Sequence, residues 1–130
     1  MGAGDRLGGL ERRGLSGDLT LLVAGDRRAR RRGLARLDAD ALAGGHGVLF
    51  ERCRSVHTIG MRFALDLVWL DGTGAVVRVD RAVGPRRVRT CLGARSVVET
   101  VAGEGERFAV ALDRFAVQAG AGPASVKGHL

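Results

Sequence analysis

Asp66-Leu67-Val68-Trp69-Leu70-Asp71-Gly72-Thr73-Gly74-Ala75-Val76-Val77-Arg78-Val79-Asp80-Arg81 decides the fold. Its first part is an apolar strand bracketed by two carboxylates, and Asp71-Gly72-Thr73-Gly74 is a turn signal. The return alternates, with Val77 and Val79 facing opposite Arg78 and Asp80. An apolar run, a glycine-rich turn and an alternating return predict a β-hairpin. Just upstream, an extended Ser55–Leu65 would put His57, Ile59, Met61, Phe63 and Leu65 on one face, and Thr58, Gly60 and Arg62 on the other.

Working outward, Val48-Leu49-Phe50 opens this strand-rich centre after the break at Gly44-Gly45-His46-Gly47. Asp18–Ala24 is short, apolar and closed by Gly25-Asp26, the profile of a buried strand. Between these strands, Arg27–Leu37 reads as a short helix interrupted or capped by Gly33, and Asp38 caps a further turn through Ala39–Leu42. Downstream, Gly84-Pro85 starts a basic loop through Arg89, and Ser96–Val101 is a strand ended by Ala102-Gly103. Glu104–Val117 reads as a short helix followed by a strand. Residues 1–17 are expected to be a flexible lead-in, 18–118 a single domain and 119–130 a flexible tail.

Four to six short strands with one or two short helices predict an α+β domain, predominantly antiparallel β. So short a sheet must manage its edges, which favours a small barrel or a strongly curled sheet.

The whole chain is 130 residues and 13.7 kDa, room for one domain with a real core. Twenty-one glycines argue for many tight turns and against a helical bundle. The uncharged runs Ala41–Phe50 and Phe115–Val126 fall short of the ~18–20 apolar residues of a membrane span. The start has neither an apolar leader core nor a myristoylation pattern, so the expected location is cytoplasmic. Cys53 and Cys91 form no CxxC pair and are expected as reduced thiols without a disulfide.

Net charge is +7, and twenty of the twenty-one basic residues are arginine. That bias alongside abundant Ala and Gly also follows from a GC-rich coding sequence, so charge alone names no partner.

Cys53-Arg54-Ser55-Val56-His57-Thr58-Ile59-Gly60-Met61-Arg62-Phe63-Ala64-Leu65-Asp66-Leu67-Val68-Trp69-Leu70-Asp71 resembles the signature of the domain of unknown function 192 (DUF192) family. The likeness continues through Gly74-Ala75-Val76-Val77 and Ala94–Gly103, and upstream through Arg32-Gly33-Leu34 and Gly47-Val48-Leu49-Phe50. It spans roughly residues 18–118, and its separate segments agree in order and spacing. The resemblance implies a small, mostly β fold and no established activity. This chain departs from the pattern at Ala64, where the family often has Pro, and at Ala111-Leu112-Asp113-Arg114, where it tends to a Gly-Asp turn.

Two residue sets are candidates for function. The first is a groove bordered by His57, Met61 and Asp66, with Asp71 and Glu99 contributing acids. Polar groups inside apolar strands must be satisfied or functional, and imidazole beside carboxylate can do general-base chemistry. Strict alternation puts Asp66 on the face opposite His57, so this grouping needs a bulge or bend. No metal site is expected, because no second His or Cys follows at zinc spacing. Neither Ser55 nor Ser96 sits in a nucleophile elbow, and Gly103-Glu104-Gly105 completes no phosphate loop. No cofactor is implied.

The second set is arginine: Arg27, Arg28, Arg30, Arg31, Arg32 and Arg36, supplemented by Arg86, Arg87 and Arg89. Such density can grip phosphates in a weak, salt-sensitive way. The leading expectation is a non-catalytic accessory domain that binds a protein or small ligand. The competing expectations are an arginine-driven nucleic-acid binder and an enzyme with a His57/carboxylate pocket.

Overall fold

Six strands form one open mixed sheet in the order β1-β2-β3-β8-β5-β6, and a separate two-stranded ribbon pairs β4 with β7. The structure, a computed structural model, describes residues 11–24, 42 and 44–118. Its strands are β1 (Glu11–Gly14), β2 (Thr20–Ala24), β3 (His46–Glu51), β4 (Ser55–His57), β5 (Leu65–Leu70), β6 (Val76–Val83), β7 (Val88–Thr90) and β8 (Ser96–Val101). One helix, α1 (Gly105–Gln118), follows. The expected helical turns over 27–41 and the tail at 119–130 lie outside the described residues.

The deciding hairpin forms, with β5 pairing antiparallel with β6 across Asp71–Gly74, but the expected Val77/Val79 face does not: a register shift opposite Trp69–Leu70 leaves Val77 exposed and packs Val76 and Val79 on the helix side. β8 pairs with β5 on one side and β3 on the other, both antiparallel, while β2 and β3 are parallel. All six residues of β5 are buried because both faces of the sheet are covered. Leu65, Leu67 and Trp69 point toward the β4–β7 ribbon, with Val48, Phe50, Val56, Met61 and Val97. Val68 and Leu70 point toward α1, with Leu21, Leu49, Val98, Phe108 and Leu112. Gly47 lets the helix seat: a Cβ there would stand 2.9 Å from Val98 Cγ1 and 3.0 Å from the Phe108 ring.

Four further expectations are corrected. Among the described residues the sheet does not close into a barrel, and its edges are β1 and β6. Those edges are managed by charge instead, through Glu11, Arg12 and Arg13 on β1 and Arg78, Asp80 and Arg81 on β6. The Ser55–Leu65 alternation stops after His57, because Thr58 turns the chain and is held by the 84–87 loop. The segment 105–118 is one continuous helix rather than helix then strand. Finally, β1 falls in the stretch read as lead-in; all four of its residues are exposed, so no burial pattern marks it.

Candidate functional site

The five residues of the expected groove do not share one surface. His57 is exposed on β4, opposite Val88 of β7. Met61 is buried beneath the ribbon, and Glu99 is buried between Val48 and Leu67 on the same side of the main sheet.

Asp66 lies on the helix side. Strand β6 bulges opposite it, with Ala82 at φ 51, and the Ala82 N–H donates to Asp66 Oδ1 at 2.8 Å. Oδ2 accepts the N–H of Gly103 at 3.0 Å and of Gly105, the first helical residue, at 2.9 Å. The Asp66 carboxylate therefore ties β5, the β6 bulge and the start of α1 together. With His57 and Asp66 on opposite sides of the sheet, the pocket that would pair their imidazole and carboxylate is not assembled.

Asp71 does line a cavity. Its Oδ1 accepts from Thr73 N at 2.8 Å, Thr73 Oγ1 at 2.6 Å and Ala75 N at 3.1 Å, closing the hairpin turn. Desolvation pushes its pKa up, but hydrogen bonds from the Thr73 hydroxyl and the N–H groups of Thr73, Ala75 and Gly74 outweigh it and hold the carboxyl below its ordinary value.

The cavity, about 530 Å³, opens where the ends of β1, β3 and β5 meet the start of β8. Leu21, Leu49, Leu70 and Leu112 form its apolar floor; Arg13, Arg52 and Arg95 are joined at its rim by Glu51 and Asp71. Arg95 is anchored through its backbone: its N–H donates to Leu70 O at 2.7 Å, and its carbonyl accepts the Cys53 N–H at 3.0 Å. That contact sets the Arg52 turn, at φ 54, beside it.

The second candidate set divides. Arg27, Arg28, Arg30, Arg31, Arg32 and Arg36 lie outside the described residues. Arg86 and Arg87 are exposed at the end of the ribbon, where the Thr58 hydroxyl donates to Gly84 O at 2.7 Å and accepts the Arg87 N–H at 2.8 Å. The ribbon and its flanking loops, residues 52–65 and 82–95, contain no Asp or Glu. They carry Arg52, Arg54, Arg62, Arg86, Arg87, Arg89 and Arg95, so the remainder of the chain holds as many acids as bases. Six of the seven are exposed, Arg89 is half-buried, and none is ion-paired. Arg52, Arg54, Arg62 and Arg95 were not singled out from the sequence. The two acid-free windows were visible there, but only the β4–β7 pairing brings them together, with Arg52 and Arg95 at the cavity end and the other five on the ribbon and its loops.

Cys53 and Cys91 are buried and form no disulfide. Among the described residues no cluster of His, Cys, Asp and Glu is arranged to hold a metal ion, and no helix is long and apolar enough to cross a membrane.

Among the described residues, an open mixed sheet with one helix on one face and a cationic ribbon on the other defines a small α+β domain. The chain belongs to the DUF192 family, described as an uncharacterized ACR, whose profile matches residues 10–114. Among solved structures, a "putative transcription regulator" from Sinorhizobium meliloti 1021 is similar at 23% identity and a TM-score of 0.57, over 69% of this chain and 74% of that one. A protein of unknown function from Novosphingobium aromaticivorans DSM 12444 is similar at 17% identity and a TM-score of 0.59, over 76% of each chain. Both likenesses are of fold. No curated protein matches.

Proposed function

We propose that this chain is a non-catalytic binding domain whose β4–β7 face takes the phosphate backbone of a nucleic acid. The observation that supports it is the acid-free ribbon and its loops, where Arg54, Arg62, Arg86, Arg87 and Arg89 stand outside any ion pair among the described residues and no Asp or Glu offsets them. Arginine presents a planar fork suited to phosphate oxygens. Trp69, Phe50 and Phe108 are buried and Phe63 is half-buried, so no described aromatic is exposed for base stacking. The groups this face offers are guanidinium forks, so the proposed contact is to the phosphate backbone. Ile59, Val88 and Leu92 are exposed on the same layer.

Filter binding of a 20-base-pair duplex and a single-stranded RNA at about 50 and 200 mM salt tests this reading. Affinity is expected to fall steeply with salt, with R86E/R87E weakening it at least tenfold and reducing the salt slope by about 2. Absence of binding at low salt overturns the proposal. So does capture by anionic vesicles without any capture of nucleic acid.

A further inference from the structure

The geometry points to a second binding site, separate from the ribbon face: the cavity above Leu21, Leu49, Leu70 and Leu112 takes a small amphipathic carboxylate. Its head group lies between the guanidinium groups of Arg52 and Arg95, and its aliphatic body lies on the leucine floor.

Three observations converge. The volume, about 530 Å³, lies within the range of small-molecule sites. The lining has the composition of such a site, an apolar bed with a few polar groups at one side. The bed is built by register. Arg13 stands opposite Leu21 on the helix side of the sheet, Leu21 and Leu49 come from neighbouring parallel strands, and Leu112 is supplied by α1.

The rim chooses the charge. Arg13 is engaged by Glu11 at 2.8 Å and lies in the field of Glu51, which offsets that rim carboxylate, and the Asp71 Oδ1 is occupied by its own turn. Arg52 and Arg95 have neither ion pairs nor side-chain hydrogen bonds, and the Cys53–Arg95 backbone contact fixes them as neighbours. Two residues that line the same apolar bed, with backbones held side by side and guanidinium forks outside any ion pair, select a carboxylate that carries a tail over either a cation or a bare anion. Arg52 also keeps a left-handed backbone that a non-glycine residue adopts at a cost, and such strain concentrates where side chains must be aimed.

The test uses octanoate, octylamine and acetate as probes of the full chain, with amide chemical shifts as the readout. Octanoate is expected to shift residues 49–52, 70–74 and 95–96 and to bind at least tenfold more tightly than either other probe. R52A/R95A should weaken octanoate at least tenfold. Ser96→Phe, which projects a ring into the cavity from a half-buried strand position, should abolish octanoate binding and leave nucleic-acid binding as it was. R86E/R87E should do the reverse, so the two proposals can fail separately. Equal binding of octylamine, equal binding of acetate, or octanoate shifts that are unchanged in folded Ser96→Phe protein would overturn the assignment.

Discussion

The N–H of Gly105 donates to Asp66 Oδ2 at 2.9 Å, and a Cβ on Gly105 would stand 2.7 Å from the Asp66 Cβ. The helix begins against the strand it covers, with no room for a side chain. Alanine is the better helix former by about 1 kcal/mol in a helix interior, yet here the contact outweighs that preference. Gly105→Ala is expected to destabilise the domain by about 1–2 kcal/mol, read as a lowered urea midpoint with an unchanged slope. A stabilised variant would show that α1 can start further from β5.

Asp66 itself holds three backbone donors from three elements. Hydrogen bonds to a charged acceptor contribute about 1.5–3 kcal/mol each, less than additively. Asp66→Ala should therefore remove about 3–5 kcal/mol, a large part of the roughly 5–15 kcal/mol typical of a domain. Asp66→Asn, which keeps the acceptor oxygen, should cost less. Circular dichroism during urea titration measures both. A fully stable Asp66→Ala protein that had lost binding would restore Asp66 to a functional role.

A carboxylate inside Leu65–Leu70 is anomalous in any local window, and parity already placed it opposite His57. Its partners, Ala82, Gly103 and Gly105, lie 16, 37 and 39 residues away, beyond the reach of any periodicity argument. The hairpin at Asp71–Gly74 was legible because its strands, turn and capping carboxylate are contiguous. The end of β4 was not legible, since the partners of Thr58 come from the 84–87 loop. The helix 105–118 was obscured by Gly105, whose presence is explained by the approach of Asp66 rather than by helix breaking. The cavity was invisible because Arg13, Arg52, Leu70 and Arg95 meet only through strand order.

Thr58 is buried, and its hydroxyl spans the Gly84 carbonyl and the Arg87 N–H. Thr58→Val keeps the shape and removes both bonds. It is expected to cost about 1–3 kcal/mol and to free the turn that presents Arg86 and Arg87. Hydrogen exchange at the Arg87 amide should accelerate far more than exchange in β8. Unchanged Arg87 protection would show that the neighbouring Thr58–Arg87 backbone bond suffices.

Asp80 on β6 accepts from the buried Trp69 indole at 2.9 Å and from Arg78 at 2.8 Å, with Arg78 lying over the Trp69 ring 5.4 Å from its centroid. Removing the carboxylate leaves a buried indole N–H unsatisfied and releases the cation that covers the ring. Asp80→Ala is expected to lose about 1–3 kcal/mol. Because Trp69 is the only tryptophan, the change should also appear in the intrinsic fluorescence of the folded protein. An unaltered native spectrum and urea midpoint would show that neither contact matters.

The Asp71 turn gives a pH dependence of defined sign. Its hydrogen bonds hold the folded carboxyl below the ordinary value of about 4, so the unfolded chain binds the proton more readily. The resulting stabilisation is present above about pH 4 and is lost as pH falls through the lowered folded value. Asp71→Asn preserves an acceptor oxygen while removing the ionisation. The difference in unfolding free energy between the native protein and Asp71→Asn should be constant from pH 7 to about 5, then shrink steadily toward pH 2. A difference that stays flat across the acid range would mean that the turn depends on the shape of the side chain and not on its charge.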